Sequence, residues 1–404
     1  MPLPSVAFLP APPRALFLGS FPPRECGIAT FTNDVVESFD RVFGTRSDVV
    51  AIDEPGAEDR IYPSNVVSRL RQEEPASYRR VARAINGHPS DLLEVQHEYG
   101  LFGGPDGSWF LDLIDAVSKP VVVSLHTVLP QPDEAHRAMA RRICACADAV
   151  IVLSETGRKI LIDVYGVAPE KLHVVHHGVP DVPFGTTHGA KARFGLDGRQ
   201  VISTFGLISR GKGLEYGIDA MRTIVERHPE ALYLILGQTH PSVRRREGET
   251  YRQELAERVA AGGLQNNVKL VDKYLEFEEL LAYLEATDIY LTPYLNPVQI
   301  VSGTLAYAVG LGKPIVSTPY LYAEELLADA RGLLAPFRDS RAIANALGAL
   351  LDDPWLRRTI ERRAYQFGRQ MTWPHVARAH ARVFETVVSA RGARAEDLEL
   401  VLPA

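Results

Sequence analysis

Several stretches of this 404-residue chain hold residue types that can do chemistry. Gly206-Leu207-Ile208-Ser209-Arg210-Gly211-Lys212-Gly213 follows an apolar run and opens a helical pattern. Backbone N–H groups at a glycine-rich turn, a helix N-terminus and two cations together make a cradle for phosphate. The turn is not a Walker A loop, because Gly213 stands where GxxxxGK[ST] needs a hydroxyl. A second such place is Ser302-Gly303-Thr304, which leads into another helix and suits a phosphate or a sugar hydroxyl. Gln238 sits in a glycine and polar cluster at the end of a further apolar run. In the first half, Gln96-His97-Glu98-Tyr99 and His126-Thr127 end consecutive apolar runs, so both histidines are expected to face one crevice. A zinc ion is the alternative, but no third ligand has suitable spacing. Ten residues, Gly19 to Ile28, separate a strand from its helix; that is long for a plain connection, and Gly27 would let backbone approach a ligand closely. Glu324 and Glu325 open a helix after Tyr322, either to bind hydroxyls or a nucleotide or simply to complement the helix dipole.

The elements that must position these groups are legible as a rhythm. Apolar runs at residues 15–19, 92–96, 121–125, 149–153 and 172–175 alternate with helical patterns near residues 32–39, 77–85 and 135–147. The runs lack alternation, as expected of strands buried on both faces of a parallel sheet. The rhythm pauses in GVPDVPFGTTHG, residues 178–189, and restarts with runs at 200–205, 231–236, 268–270, 289–291 and 314–317. This spacing predicts an α/β chain of two doubly wound parallel-sheet domains, residues 1–183 and 190–370, facing each other across a cleft. Ligands in such sheets bind beyond the carboxyl ends of the strands, which is where the residues above fall.

Composition narrows the classes. Hydrophobic residues at 46% and charged residues at 23% describe a globular chain, neither disordered nor fibrous. A net charge of −6 gives nucleic acid no global attraction, and Arg244-Arg245-Arg246 reads as an exposed loop. Three cysteines, Cys26, Cys144 and Cys146, cannot form a disulfide framework or a cysteine-rich zinc site, and suit a reducing cytoplasm. No run approaches the roughly 18 apolar residues of a membrane span, and the proline-rich segment Met1 to Pro13 does not read as a signal peptide. A cytoplasmic location is expected.

In their order, the motifs carry a resemblance across nearly the whole chain. The PP…CG loop at Pro22 to Gly27, His126 after its strand, His176-His177-Gly178-Val179 before the linker, Lys212-Gly213, and Leu311-Gly312-Lys313-Pro314-Ile315-Val316 resemble a retaining glycosyltransferase of family GT4, in its mannosyltransferase-like branch. The resemblance implies a GT-B fold of two Rossmann-like domains, with a last helix, about 372–391, packing back on the first domain. It implies a GDP- or UDP-hexose donor, a saccharide or other small acceptor, no cofactor and no metal. Membrane contact is expected only for a lipid-linked acceptor. Lys212 and Arg210 would neutralise the diphosphate, and His126 and Gln299 would touch the donor sugar. Gly27, Gly206, Gln238, Ser302, Gly303, Thr304, Tyr307 and Glu324 would line the donor, and His97, Glu98 and Tyr99 the acceptor side. Two departures stand out. The family's E-x7-E carboxylates fall on Gln299 and Tyr307, and its arginine after the first glycine falls on Leu207, so Arg210 is expected to supply that charge. A phosphorylase using inorganic phosphate on the same fold, and a non-catalytic sugar-nucleotide binder, are the competing expectations.

Overall fold

The structure, a computed structural model, describes residues 11–185 and 189–401. Most of the proline-rich N-terminal segment (residues 1–10), residues 186–188 within the expected linker, and residues 402–404 lie outside the described residues. Contacts divide the described residues into two compact units, residues 179–372 and residues 11–178 together with 373–401.

The first unit runs β1 (Ala15–Gly19), α1 (Gly27–Phe43), β2 (Asp48–Asp53), β3 (Val66–Arg71), α2 (Pro75–Gly87), β4 (Leu92–His97), α3 (Trp109–Ala116), β5 (Val121–Leu125), α4 (Glu134–Cys146), β6 (Ala149–Val152), α5 (Glu155–Asp163) and β7 (Leu172–Val174). Its parallel sheet has the order β3-β2-β1-β4-β5-β6-β7, which reverses between β1 and β4. That reversal leaves a crevice beyond Gly19 and His97. Leu18 pairs with Val50 and Val95, and His97 with Leu125, so the strand ends carrying Gly19, His97 and His126 are in step. All residues of β1, β4, β5 and β6 are buried, the signature of helices on both faces. Two strands of this sheet were not expected. β2 is an apolar run between Asp48 and Asp53, and β3 is an edge strand whose Val67 and Arg71 face solvent.

The second unit runs α6 (Ala190–Arg193), β8 (Gln200–Phe205), α7 (Leu214–Arg227), β9 (Ala231–Leu236), α8 (Pro241–Glu247), α9 (Thr250–Ala261), β10 (Val268–Val271), α10 (Phe277–Ala286), β11 (Ile289–Thr292), α11 (Gly303–Gly310), β12 (Ile315–Ser317), α12 (Leu321–Leu326), β13 (Leu333–Leu334), α13 (Ser340–Asp352) and α14 (Pro354–Gly368). Its parallel sheet, β10-β9-β8-β11-β12-β13, reverses between β8 and β11, so its crevice lies beyond Phe205 and Thr292. The chain joins this unit at Val179, before the expected boundary at residue 183, because the Val179 N–H donates to the Met371 carbonyl (2.9 Å) and pairs with Thr372.

The last helix, α15 (Trp373–Val401), belongs to the first unit. Phe384 packs 6.3 Å from Phe17 of β1 and 5.6 Å from Phe39 of α1. The Arg391 guanidinium meets the Asp148 carboxylate at 3.1 Å.

Candidate functional site

In the second unit the glycine-rich turn is shaped by close backbone approach. Gly206 (φ +125°) donates its N–H to the Leu236 carbonyl, and Gly237 (φ +140°) lies so near that a Cβ on it would sit 2.2 Å from the Gly206 oxygen. Arg210, Gly211 and Lys212 form one tight turn, and Gly213, in the left-handed region, caps α7. The Leu295 N–H donates to the Gly211 carbonyl at 2.9 Å, which ties the turn to the chain leaving β11.

Lys212 is thereby aimed inward. Its ammonium lies 3.8 Å from the centroid of the Tyr294 ring, a cation–π contact, and makes no ion pair among the described residues. A Cβ on Gly206 would lie 4.0 Å from Lys212 Nζ and 3.2 Å from Thr304 Cγ2. Thr304 Oγ1 is within 2.7 Å of the Tyr294 hydroxyl and 3.1 Å of Ser302 Oγ. Ser302 caps α11 by accepting the Leu305 N–H, so Gly303 and Thr304 form its first turn. One cation, a helix N-terminus and two hydroxyls thus converge beside open backbone at Gly206, an arrangement suited to phosphate oxygens. His240, near Lys212, is pushed below its ordinary pKa by burial first, and then by Lys212, Arg245 and Arg246.

Other expected partners lie differently. Arg210 does not supply a free charge: its guanidinium makes two 2.7 Å bonds to Glu254 and lies 5.1 Å from the centroid of the Tyr251 ring. Gln299 donates its amide to the Val301 carbonyl at 2.9 Å, bracing the loop before α11. Tyr307 is a core residue, buried with Phe205 6.2 Å away. Glu324 is exposed on α12, and the Gln238 carbonyl accepts the Ile208 N–H beside Gly206.

In the first unit α1 begins at Gly27, five residues before the expected start. Cys26 acts as its cap, with Sγ accepting the Ala29 N–H at 3.3 Å and lying 3.2 Å from Ser20 Oγ. Nothing lies within 4 Å of a Cβ built on Gly27, so this helix end is open. The preceding loop is anchored through Arg24, whose guanidinium meets Glu54 at 3.3 Å. Glu54 also binds Arg60, while the neighbouring Asp53 takes Arg69 (2.6 Å) and the Tyr62 hydroxyl (2.7 Å). Burial would raise Glu54, but the Arg60 hydrogen bond, a backbone bond and the charges of Arg24 and Arg60 bring it down to about 2.

The residues ending β4 divide by face. His97 is 1% exposed, with neither ring nitrogen hydrogen-bonded, among Tyr99, Phe102 and Phe110. Burial pushes it down to about 3, so it is a neutral core residue, not a wall of the crevice. Glu98 uses both oxygens locally, accepting the Tyr99 N–H (3.0 Å) and the Thr127 hydroxyl (2.6 Å). Tyr99 packs edge-on to His136, with ring centroids 5.0 Å apart. Phe31 of α1 packs edge-on against both His126 and His177, 4.9 Å from each. Burial first, then His177 and His97, press His126 down to about 3.

Sequence reasoning missed the group beneath His126. Glu94 and Gln96 are fully buried; Glu94 Oε1 accepts both the Gln96 amide (2.7 Å) and the Ser124 hydroxyl (2.6 Å). The signal was present: an acid inside a strand whose every neighbour is apolar or buried. Burial raises Glu94 to about 7 against the lowering bonds from Ser124 and Gln96. A carboxyl whose folded pKa exceeds its ordinary 4.5 holds extra protons in the folded state, so stability falls as pH rises from about 4.5 to about 7. Over that window the wild type is expected to lose roughly 3 kcal/mol relative to Glu94→Gln. Denaturant midpoints of both proteins from pH 4.5 to 8 check this, and parallel curves would refute it.

Among the described residues no group of three His, Cys, Asp or Glu is placed to hold a metal ion, and no helix is long and apolar enough to cross a membrane. Residues 199–353 match the family described as "Glycosyl transferases group 1", and residues 27–181 that described as "Glycosyltransferase Family 4". The chain is 27% identical to a D-inositol 3-phosphate glycosyltransferase of Corynebacterium urealyticum over 63% of its own length and 60% of that protein. Identity is also 27% to a phosphatidyl-myo-inositol mannosyltransferase of Mycobacterium leprae, over 44% of each chain. Anabaena HepE, solved in complex with UDP, shares the fold with a TM-score of 0.73 at 18% identity, covering 92% of this chain and 100% of that one.

Proposed function

The chain belongs to the group 1, family 4 glycosyltransferases, which have the GT-B fold, and from that premise we propose that it transfers a mannosyl or glucosyl group from a GDP- or UDP-hexose to a hydroxyl, with retention of configuration. The observation that carries the reading is Lys212: an ammonium with no carboxylate partner among the described residues, held beside Thr304 at the N-terminus of α11. In the proposed reaction the anomeric C–O bond to the diphosphate breaks while the acceptor oxygen bonds to the same face of that carbon. A diphosphate oxygen takes the acceptor's proton. The protein's contribution is to hold the reactants in place and meet the charge on the departing diphosphate. Lys212, the Gly303 and Thr304 N–H groups and the Thr304 hydroxyl would do the latter. His126 would bind a hydroxyl of the donor sugar, and the open end of α1 at Gly27 would receive acceptor or phosphate oxygens. No resident cofactor or metal enters the proposal. The relatives' names make a cyclitol or saccharide hydroxyl the first acceptor class to try; the cytoplasmic setting of the proposal rests on the sequence expectation alone.

The nucleotide question is sharpened by Gln299 and Tyr307, which leave positions 299 and 307 without carboxylates. A thermal-shift screen of GDP, UDP, ADP, their hexose conjugates and inorganic phosphate tests the reading. A ligand at a hundredfold excess over its dissociation constant adds about 2.7 kcal/mol of stability. A shift with one nucleotide and its hexose conjugate is the expected result. Silence from every nucleotide with a response to phosphate would replace the transferase with a phosphorylase. Tight nucleotide-sugar binding without turnover would leave only a binding protein.

A further inference from the structure

We infer that Glu94 and Gln96 are positioning residues that fix the tautomer of His126, so that its Nδ1 is always a bare acceptor. The inference rests on the transferase reading only for what that acceptor meets, a hydroxyl of the donor sugar. The relay itself is read from one face of β4 and β5. Glu94 Oε1 accepts two hydrogens, from the Ser124 hydroxyl at 2.6 Å and from Gln96 Nε2 at 2.7 Å. Because the Gln96 amide nitrogen is spent on Glu94, its oxygen is what faces His126 Nε2, at 2.7 Å. A carbonyl oxygen can only accept, so Nε2 carries the proton and Nδ1 the lone pair. The direction survives protonation of Glu94, because a proton there would sit on Oε2, the oxygen without a partner.

Two further observations give the relay its stiffness. Glu94 and Gln96 are both 0% exposed, so no water competes for these bonds, and a Cβ on Gly19 would already lie 3.1 Å from Gln96 Cβ. The His126 ring is held edge-on by Phe31 at 4.9 Å. Its Nδ1, by contrast, has no hydrogen bond among the described residues and is not among the sealed, unpartnered atoms, unlike both nitrogens of His97. A neutral imidazole held this way accepts a hydroxyl hydrogen and cannot donate one. A buried acid two residues away from the crevice therefore decides what kind of hydrogen bond the crevice offers.

The first arm of the test needs no substrate. Long-range proton–nitrogen correlation spectra of histidine-labelled protein, with the His126 signals identified by their loss in His126→Ala, are expected to show the Nε2–H tautomer at pH 7. The Nε2–H signal should be slow to exchange with water in wild type and lost to exchange in Gln96→Leu. An Nδ1–H tautomer, or an Nε2–H that exchanges at the same rate in both proteins, overturns the relay. The second arm is a double-mutant cycle on nucleoside diphosphate release from UDP-glucose or GDP-mannose. Gln96→Leu is expected to lower kcat roughly tenfold in wild type and to change nothing further in His126→Ala. An equal loss in both backgrounds would mean that Gln96 acts through structure alone, and would overturn the proposal. Absence of turnover with every donor would count against the transferase reading while the spectra still decide the relay.

Discussion

Lys212→Ala is expected to lower kcat/KM for hexosyl transfer by about 10²–10³, the usual cost of deleting one charge-stabilising donor from an active site. The effect should fall on kcat more than on acceptor KM, since charge accumulates on the diphosphate as it leaves. The same variant should abolish the nucleotide-dependent thermal shift. It should fold normally, because the ammonium makes no ion pair among the described residues and rests on the face of Tyr294. Losing that contact costs about 0.5–1 kcal/mol at a partly exposed site. Melting curves and initial rates on the same preparation separate the two effects. Full activity in Lys212→Ala would sink the phosphate-cradle assignment. Lys212→Arg is no rescue control, since a planar guanidinium stacks and bonds differently from a compact ammonium.

Gly213→Ala is expected to have the other large effect, this time on both stability and turnover. Gly213 has φ +59°, a conformation that costs an alanine about 1–2 kcal/mol. Its Cβ would also sit 2.1 Å from the Pro293 carbonyl oxygen, which is backbone and cannot swing aside. Overpacking of this kind costs typically about 1–3 kcal/mol. Together these give a loss of roughly 3 kcal/mol, read as a drop of about 6–12 °C in the melting temperature of this unit. The relief available is to move the Arg210–Lys212 turn away from the chain after β11, which carries Lys212 off Tyr294. Turnover should therefore fall as far as in Lys212→Ala. Gly211→Ala, where nothing lies within 4 Å of the added methyl, is the matched control and should be mild. A wild-type melting temperature in Gly213→Ala would refute this account.

The sequence showed the fold where burial is symmetric. β1 and β9 fall on the expected residues because each is an unbroken apolar run between turn residues, and β5 and β8 because only the small Ser124, Ser203 and Thr204 interrupt theirs. β3 was invisible for the opposite reason: as an edge strand it mixes Ser68, Arg69 and Arg71 with Val66, Val67 and Leu70. The start of α1 was hidden because a cysteine, not one of the usual capping residues, accepts the first-turn N–H. At the site, glycine spacing located the turn that holds Lys212, since glycine takes the positive φ found there, +125° at Gly206 and +59° at Gly213, at the least cost. Long-range pairing left no local trace. Arg210 looked equivalent to Lys212, yet Glu254, forty-four positions on, binds it. His97 and His126 looked alike too, but the two side chains meet different surroundings, an aromatic pocket for one and the Glu94–Gln96 pair for the other.

The ends of the two sheets bear on how the chain behaves in a crowded solution. An unpaired strand edge is a template on which another chain can add. Here the first sheet ends in β7, three residues long, and in β3, whose Arg69 reaches back to Asp53 and to the Ala57 carbonyl. The second ends in β13, two residues long, and in the four-residue β10, which carries the exposed Lys269. Among the described residues, no sheet edge offers the long, flat, uncharged row of backbone groups that strand addition requires. The thirteen parallel strands among the described residues are thus kept from recruiting another from a neighbouring chain, and each sheet can remain apolar through its middle without templating strand addition.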